Sequence, residues 1–253
     1  ICSDTGKPPN MGDADDGYVV DLGNRPDQAR ELISVGAVLF DDPELQLSRA
    51  SETVFWLFGS TLLTGDIKTS ARESIGFPES GYFVLRSSVD RFRMDRRLSA
   101  FFDCAELGYG SIAAHGHADC LSFTLNVGGL EFIVDSGTYD YFTHPEWREY
   151  FRSTLAHNTI TVDGQSQSVS AGPFMWGRRA VARVIDWQDD PKRSRVAGEH
   201  SGYESLADPV THRRGLLLDK ELNQLIVRDE IDCQSTHSVA RRFHFAPECE
   251  VEH

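Results

Sequence analysis

The stretch Leu121-Ser122-Phe123-Thr124-Leu125-Asn126-Val127-Gly128-Gly129-Leu130-Glu131-Phe132-Ile133-Val134-Asp135 decides the fold class. Leu121, Phe123, Leu125 and Val127 alternate with polar partners, the period of two that turns one strand face toward a core. Gly128-Gly129 then forms a tight turn, and the chain returns through 130–135 as a hairpin. Working outward, residues 81–86 and 159–162 read as strands, the second closed by an Asp163-Gly164 turn. Further strands are expected at 180–185, 215–219, 224–229 and 240–245. Many short strands separated by turn signals indicate an antiparallel β-sandwich.

Before about Gly76 the pattern is helical. Asn24-Arg25-Pro26-Asp27 is a good helix start, with proline inside the first turn and an acid near the positive end of the dipole. The run that follows is apolar nearly all round, from Leu32 to Phe40, so this helix is expected to be buried. A second helix is expected over 51–58, ending at Gly59. Two helices cannot build a core alone; they read as the tail of a helical domain or as a strap across a sheet.

The chain has 253 residues and a formal net charge of −14. That balance argues against a nucleic-acid partner, whose phosphates reward clustered Lys and Arg. An acidic ligand would need a local basic cleft that overrides the global field. Residues 1–45 hold ten Asp and Glu against Lys7, Arg25 and Arg30, half of the whole excess, whereas Arg148, Arg152, Arg178, Arg179 and Arg183 make 145–183 basic. No apolar run is long enough to span a membrane. Ile1 opens no secretory signal, which suggests a processed or truncated chain. The five cysteines lack a CxxC pair, so a cysteine zinc site is not expected and free, mostly buried thiols are.

His115-Gly116-His117-Ala118-Asp119 is the most informative pentapeptide. In extended backbone, positions 115 and 117 face the same side, so their imidazoles can share a site, and Gly116 leaves room for close approach of another group. Downstream lie Asp135, at the end of a hairpin strand, and His157, at the start of another. Two imidazoles and a carboxylate suit zinc with a fourth position open; an all-oxygen ion such as calcium would not select this set. The residues alone leave zinc and hydrogen-bonded structural histidines both open.

At these residues the chain resembles the heparinase II/III-like family. The matching strings are PNMGDADDG at 9–17, HGHADCLSF at 115–123, VDSGTYDY at 134–141, WREYFRSTLAHNTITVDGQSQS at 147–168 and GPFMW at 172–176. The resemblance implies a mainly β fold of the super-sandwich type, residues 71–253, preceded at 1–70 by the end of an α/α toroid. The sandwich is expected to be incomplete at its C-terminus. It implies zinc on His117, Asp135 and His157, structural in role, and a substrate-facing His115. It also implies a polysaccharide lyase that cleaves an acidic, uronic-acid-containing glycan by β-elimination, in a bacterial periplasmic or secreted setting, with room for a homo-oligomer. Arg148 and Arg152 can share a helical face and offer forks to a carboxylate or sulfate, and Tyr139, Tyr141 and Trp147 can stack on sugar rings. The family's general acid/base tyrosine belongs to the toroid, so a chain without it is expected to bind metal with little turnover. Two rival readings are a zinc hydrolase using Asp119 as base and a non-catalytic carbohydrate-binding or exopolysaccharide-associated module.

Overall fold

A computed structural model describes residues 7–14, 29–42, 45, 52–59, 73–87 and 96–250. Residues 10–14 and 73 onward belong to one compact unit, and residues 2–9 with 15–72 to a second. In the second unit, α1 spans Ala29–Leu39 and α2 spans Glu52–Phe58. Gly59, at φ 85°, donates its N–H to the Phe55 carbonyl and ends α2. The Asn24–Asp27 start lies outside the described residues, and α1 is not buried all round: Leu32, Leu39 and Phe40 are exposed. An apolar helix needs neighbours on every side, and seven-residue α2 cannot cover them. No helix among the described residues is long and apolar enough to cross a membrane.

The first unit is built from antiparallel sheets. Strands β1 (Ile75–Phe77), β2 (Tyr82–Arg86), β3 (Leu98–Asp103), β4 (Phe123–Val127) and β5 (Leu130–Ile133) form one sheet in sequence order. After α3 (Pro145–Arg152), β6 (Ile160–Val162) pairs with the late strand β11 (Val239–Arg241). The remaining sheet runs β10-β9-β8-β7, from Gln224–Asp232, Val210–Asp219, Arg193–Tyr203 and Ala182–Asp189. Phe83, Leu85, Ala100, Phe102, Phe123 and Leu125 of the first sheet share a buried cluster with Val196, Leu216 and Leu218 of the last. Two sheets sealed face to face over one apolar layer make a sandwich. Each large side chain buried there contributes about 1.5–3 kcal/mol.

The hairpin that carries Asp135 forms as its sequence requires. Gly128 and Gly129 sit at φ 60° and 83°, the left-handed region that a two-residue turn demands, and Val127 pairs with Leu130 across it. Three strands were not among those expected, the three-residue β1, β3 and β8. All but the last residue of β3 are buried, so no polar partner marks its period. β8 alternates cleanly, yet Ser194, Gly198 and His200 are among its inward residues, and polar side chains on the inner face hide the pattern.

Candidate metal centre

Three segments converge beside the open end of the β4–β5 hairpin. His117 lies in the loop that joins β3 to β4, fixed where the Ala118 N–H donates to the Arg152 carbonyl and Thr154 Oγ1 donates to the Ala118 carbonyl. Asp135 follows β5, and its Oδ1 accepts the Gly137 N–H at 2.9 Å. His157 ends a short 3-10 turn and enters β6. The next residue, Asn158, is fully buried; it donates to the Phe123 and Val134 carbonyls and accepts the His244 N–H, tying His157 to both hairpin strands.

The donor atoms of His117, Asp135 and His157 all lie within 4.8 Å of one another. His157 Nδ1 is 2.7 Å from Asp135 Oδ2, and the two imidazole centroids are 5.2 Å apart. Both histidine side chains are sealed from solvent and Asp135 is 8% exposed. Each ring is held by a carboxylate on one nitrogen only: His117 Nε2 meets Asp13 Oδ1 at 3.0 Å, and His157 Nδ1 meets Asp135. The other nitrogens, His117 Nδ1 and His157 Nε2, are buried with no partner. Leaving a buried polar atom unsatisfied costs about 1–3 kcal/mol, and here two occur in one cluster. Two imidazoles and a carboxylate are donors of the type zinc takes, once the ring of His157 gives up its extra proton.

Charge in the cluster is finely set. Burial opposes ionisation of Asp13, but hydrogen bonds from His117 and Arg148 prevail and hold its carboxyl down at about 2. Burial likewise opposes the His157 cation, yet the Asp135 charge and hydrogen bond raise it to about 9. Asp135 is lowered by the same pair against its own burial. Asp103 and Asp119 go the other way: burial pushes both up, helped for Asp103 by the Asp119 charge. Several carboxylates drawn out of water around two imidazoles form an environment that a divalent cation would relieve.

Asp13 is the residue that sequence reading gave no role. Gly12, at φ 75°, allows the 10–14 segment to lie against the site; a Cβ there would stand 2.0 Å from the His115 carbonyl oxygen. The Asp13 N–H donates to that carbonyl at 2.8 Å. Its carboxylate then meets His115 Nδ1 at 3.3 Å, His117 Nε2 and both terminal nitrogens of Arg148. Its signal in sequence was Gly12-Asp13 within the family-like string at 9–17, in an acidic stretch.

His115 is 61% exposed at its side chain and sits at φ 61°, so the extended backbone expected for the pair is not what brings it near His117; Asp13 does. Gly116 has the close neighbour expected of it: a Cβ there would stand 2.7 Å from the Gly108 backbone nitrogen. Arg148 and Arg152 do share one face of α3, but that face points inward. Arg148 is held by Asp13 and the Pro173 carbonyl, and Arg152 by the Gly172 and Met175 carbonyls over the Trp176 ring. Their forks are thus occupied by the protein itself. Tyr139 is 67% exposed, stacked on Phe151 and edge-on to Trp147. Tyr141 stacks on Phe174 and donates its hydroxyl to the Ala14 carbonyl.

Comparison with known proteins agrees with this architecture. A heparinase III gene product aligns over 98% of this chain and 33% of its own, at 20% identity and a TM-score of 0.66. The heparan sulfate lyase HepC from Pedobacter heparinus aligns over 92% and 31%, at 18% identity and a TM-score of 0.63. The chain therefore spans about a third of these proteins' length. No curated protein matches it. The family model for the heparinase II/III-like C-terminal region matches residues 69–253, and the chain belongs to that family.

Proposed function

We propose that this chain is the β-sandwich part of a polysaccharide lyase acting on an acidic, uronic-acid-containing glycan, and that His117, Asp135 and His157 hold one structural zinc ion. Family membership supports the lyase reading. The observation that carries the metal is the pair of buried imidazole nitrogens without partners in a cluster of nitrogen and carboxylate donors. Bound zinc would supply positive charge and a cross-link between the 117 loop, the hairpin end and the start of β6.

β-Elimination removes the C5 proton, forms the C4–C5 double bond and expels the glycosidic oxygen, which must be protonated. Charge that develops on the uronate carboxylate has to be met by preorganised donors. His115 is the exposed imidazole beside Asp13, suited to neutralise that carboxylate or relay a proton. Tyr139 offers an exposed ring for a sugar face. Arg148 and Arg152 take a positioning role in place of direct substrate contact, since their guanidiniums hold Asp13 and the 172–175 turn. A bacterial periplasmic or secreted setting is in keeping with a polysaccharide substrate.

Two measurements test the reading. Metal analysis of the purified chain is expected to find zinc bound at this site and to show about one equivalent less zinc in His117→Ala; equal content in both chains counts against it. In the full-length enzyme, His115→Ala is expected to lower kcat by about 100-fold or more, read as the absorbance of unsaturated uronate. Comparable turnover by the 253-residue chain and the full-length enzyme would sink the division of labour. A second reading, a carbohydrate-binding module, draws on the exposed rings of Tyr139, Phe142 and Trp147. It predicts glycan binding with no absorbance rise in either protein.

A further inference from the structure

Four side chains outside the His117 cluster meet where separate turns of the sandwich come together. Asp163 follows β6, Asp208 lies between β8 and β9, Cys233 follows β10, and His237 precedes β11. His237 Nδ1 is 2.6 Å from Asp163 Oδ2, and its Nε2 is 2.9 Å from Asp208 Oδ2. Donor atoms of Asp208, Cys233 and His237 lie within 4.8 Å of one another. The site is partly open: the His237 side chain is 8% exposed and Asp208 19%, with Cys233 half-buried, so an ion can enter.

A neutral imidazole has one N–H and one lone pair. If Nδ1–H donates to Asp163, the Nε2 lone pair faces a carboxylate oxygen, an arrangement that either a second ring proton or a metal ion resolves. Asp208 Oδ2 already accepts the Gln234 and Ser235 N–H groups, while its Oδ1 takes no hydrogen bond from the described residues. The Cys233 side chain packs against the cluster of Ile160, Val162, Tyr203 and Val210, and its thiol makes one weak contact, with the Ser235 carbonyl at 3.4 Å. A thiol, an imidazole and a carboxylate are together a donor set for zinc, not for calcium or magnesium. The carboxylate behind Nδ1 is the usual device that fixes a metal-binding imidazole.

We propose that Asp208, Cys233 and His237 form a second divalent-metal site for zinc or a similar thiol-binding ion, with Asp163 as the positioning residue for His237. Binding displaces two protons to solvent, one from the Cys233 thiol and one from His237 Nε2, so the sulfur coordinates as thiolate and the ring through its freed lone pair, and water completes the shell. The ion ties the turns after β6 and β10 to the β8–β9 connection. This site is independent of the one assigned to His117, Asp135 and His157, which contains no cysteine.

That difference supplies the test. The reduced, metal-stripped 253-residue chain is titrated with cobalt(II). Wild type is expected to develop a near-ultraviolet thiolate-to-cobalt charge-transfer band, and His117→Ala is expected to keep it. Cys233→Ser, a near-isosteric change at a half-buried position, is expected to lose the band and one equivalent of bound metal while its circular dichroism is unchanged. Asp163→Asn is expected to keep the band at saturation but to weaken cobalt affinity about 10- to 100-fold. A wild-type spectrum without the band, or a band that survives Cys233→Ser, overturns the proposal and leaves His237 as a protonated imidazole between two carboxylates.

Discussion

At the scale of single residues, Asp13 concentrates more of the site's energetics than any residue chosen from sequence. Its carboxylate is sealed from water and answers the Arg148 guanidinium with two hydrogen bonds while holding His115 and His117. Removing one partner of a buried ion pair strands the other, which costs about 3–5 kcal/mol. Asp13→Ala is therefore expected to destabilise the chain by about that amount in urea unfolding at neutral pH. A loss below about 1 kcal/mol would mean that Arg148 finds another acceptor or water. With Asp13 accepting from His117 Nε2–H, Nδ1 is the nitrogen left for a metal.

At the scale of elements, the hairpin and β6 are joined through Asn158 rather than through continuous strand pairing. Its side-chain amide bridges the Phe123 and Val134 carbonyls and accepts the His244 N–H, so one residue registers three segments. Asn158→Ala leaves those backbone groups buried without partners and is expected to cost at least about 2 kcal/mol. It is also expected to lower retention of the proposed zinc, because His157 is the preceding residue. A variant with unchanged unfolding midpoint and metal content would show that water replaces the amide. The strands themselves were readable where one face is apolar and the other polar, as in 121–127. They were unreadable in β3, buried nearly throughout, and in β8, whose inner face carries Ser194 and His200.

At the scale of the whole molecule, a buried polar chain joins the layers. His200 Nδ1 accepts the Gly202 N–H, so its proton sits on Nε2 and is donated to His212 Nδ1; His212 Nε2–H then donates to Asp229. Arg214 pairs with Asp229 and donates onward to the carbonyls of Leu121 and Asn158, linking the β9 sheet to the loop before β4 and to the start of β6. Burial drives His200 well below its ordinary value of 6.5, reinforced by His212 and Arg214, and lowers His212 as well. Both rings are thus neutral when folded but titrate near 6.5 when unfolded. Below that pH the unfolded chain binds more protons at these two rings, so their contribution to stability is full above 6.5 and falls as pH drops. The fall is expected to reach about 1.4 kcal/mol per pH unit for each histidine, between 6.5 and the folded values. Unfolding free energies at pH 7 and pH 5 test this, and His200→Leu is expected to flatten the dependence. An unchanged slope would remove His200 as the cause.

Sequence alone determined the sandwich class and the glycine hairpin, while resemblance to a family pointed to His117, Asp135 and His157 as candidate donors. The first two depend on local period and on the steric freedom of Gly128-Gly129, written within a few residues. Only tertiary structure decided that Asp13 returns across a hundred residues to hold both histidines, that the arginines of α3 face inward, and that Cys233 and His237 meet Asp208. Such encounters follow from which strands pair and how loops pack, a long-range outcome that no local pattern records.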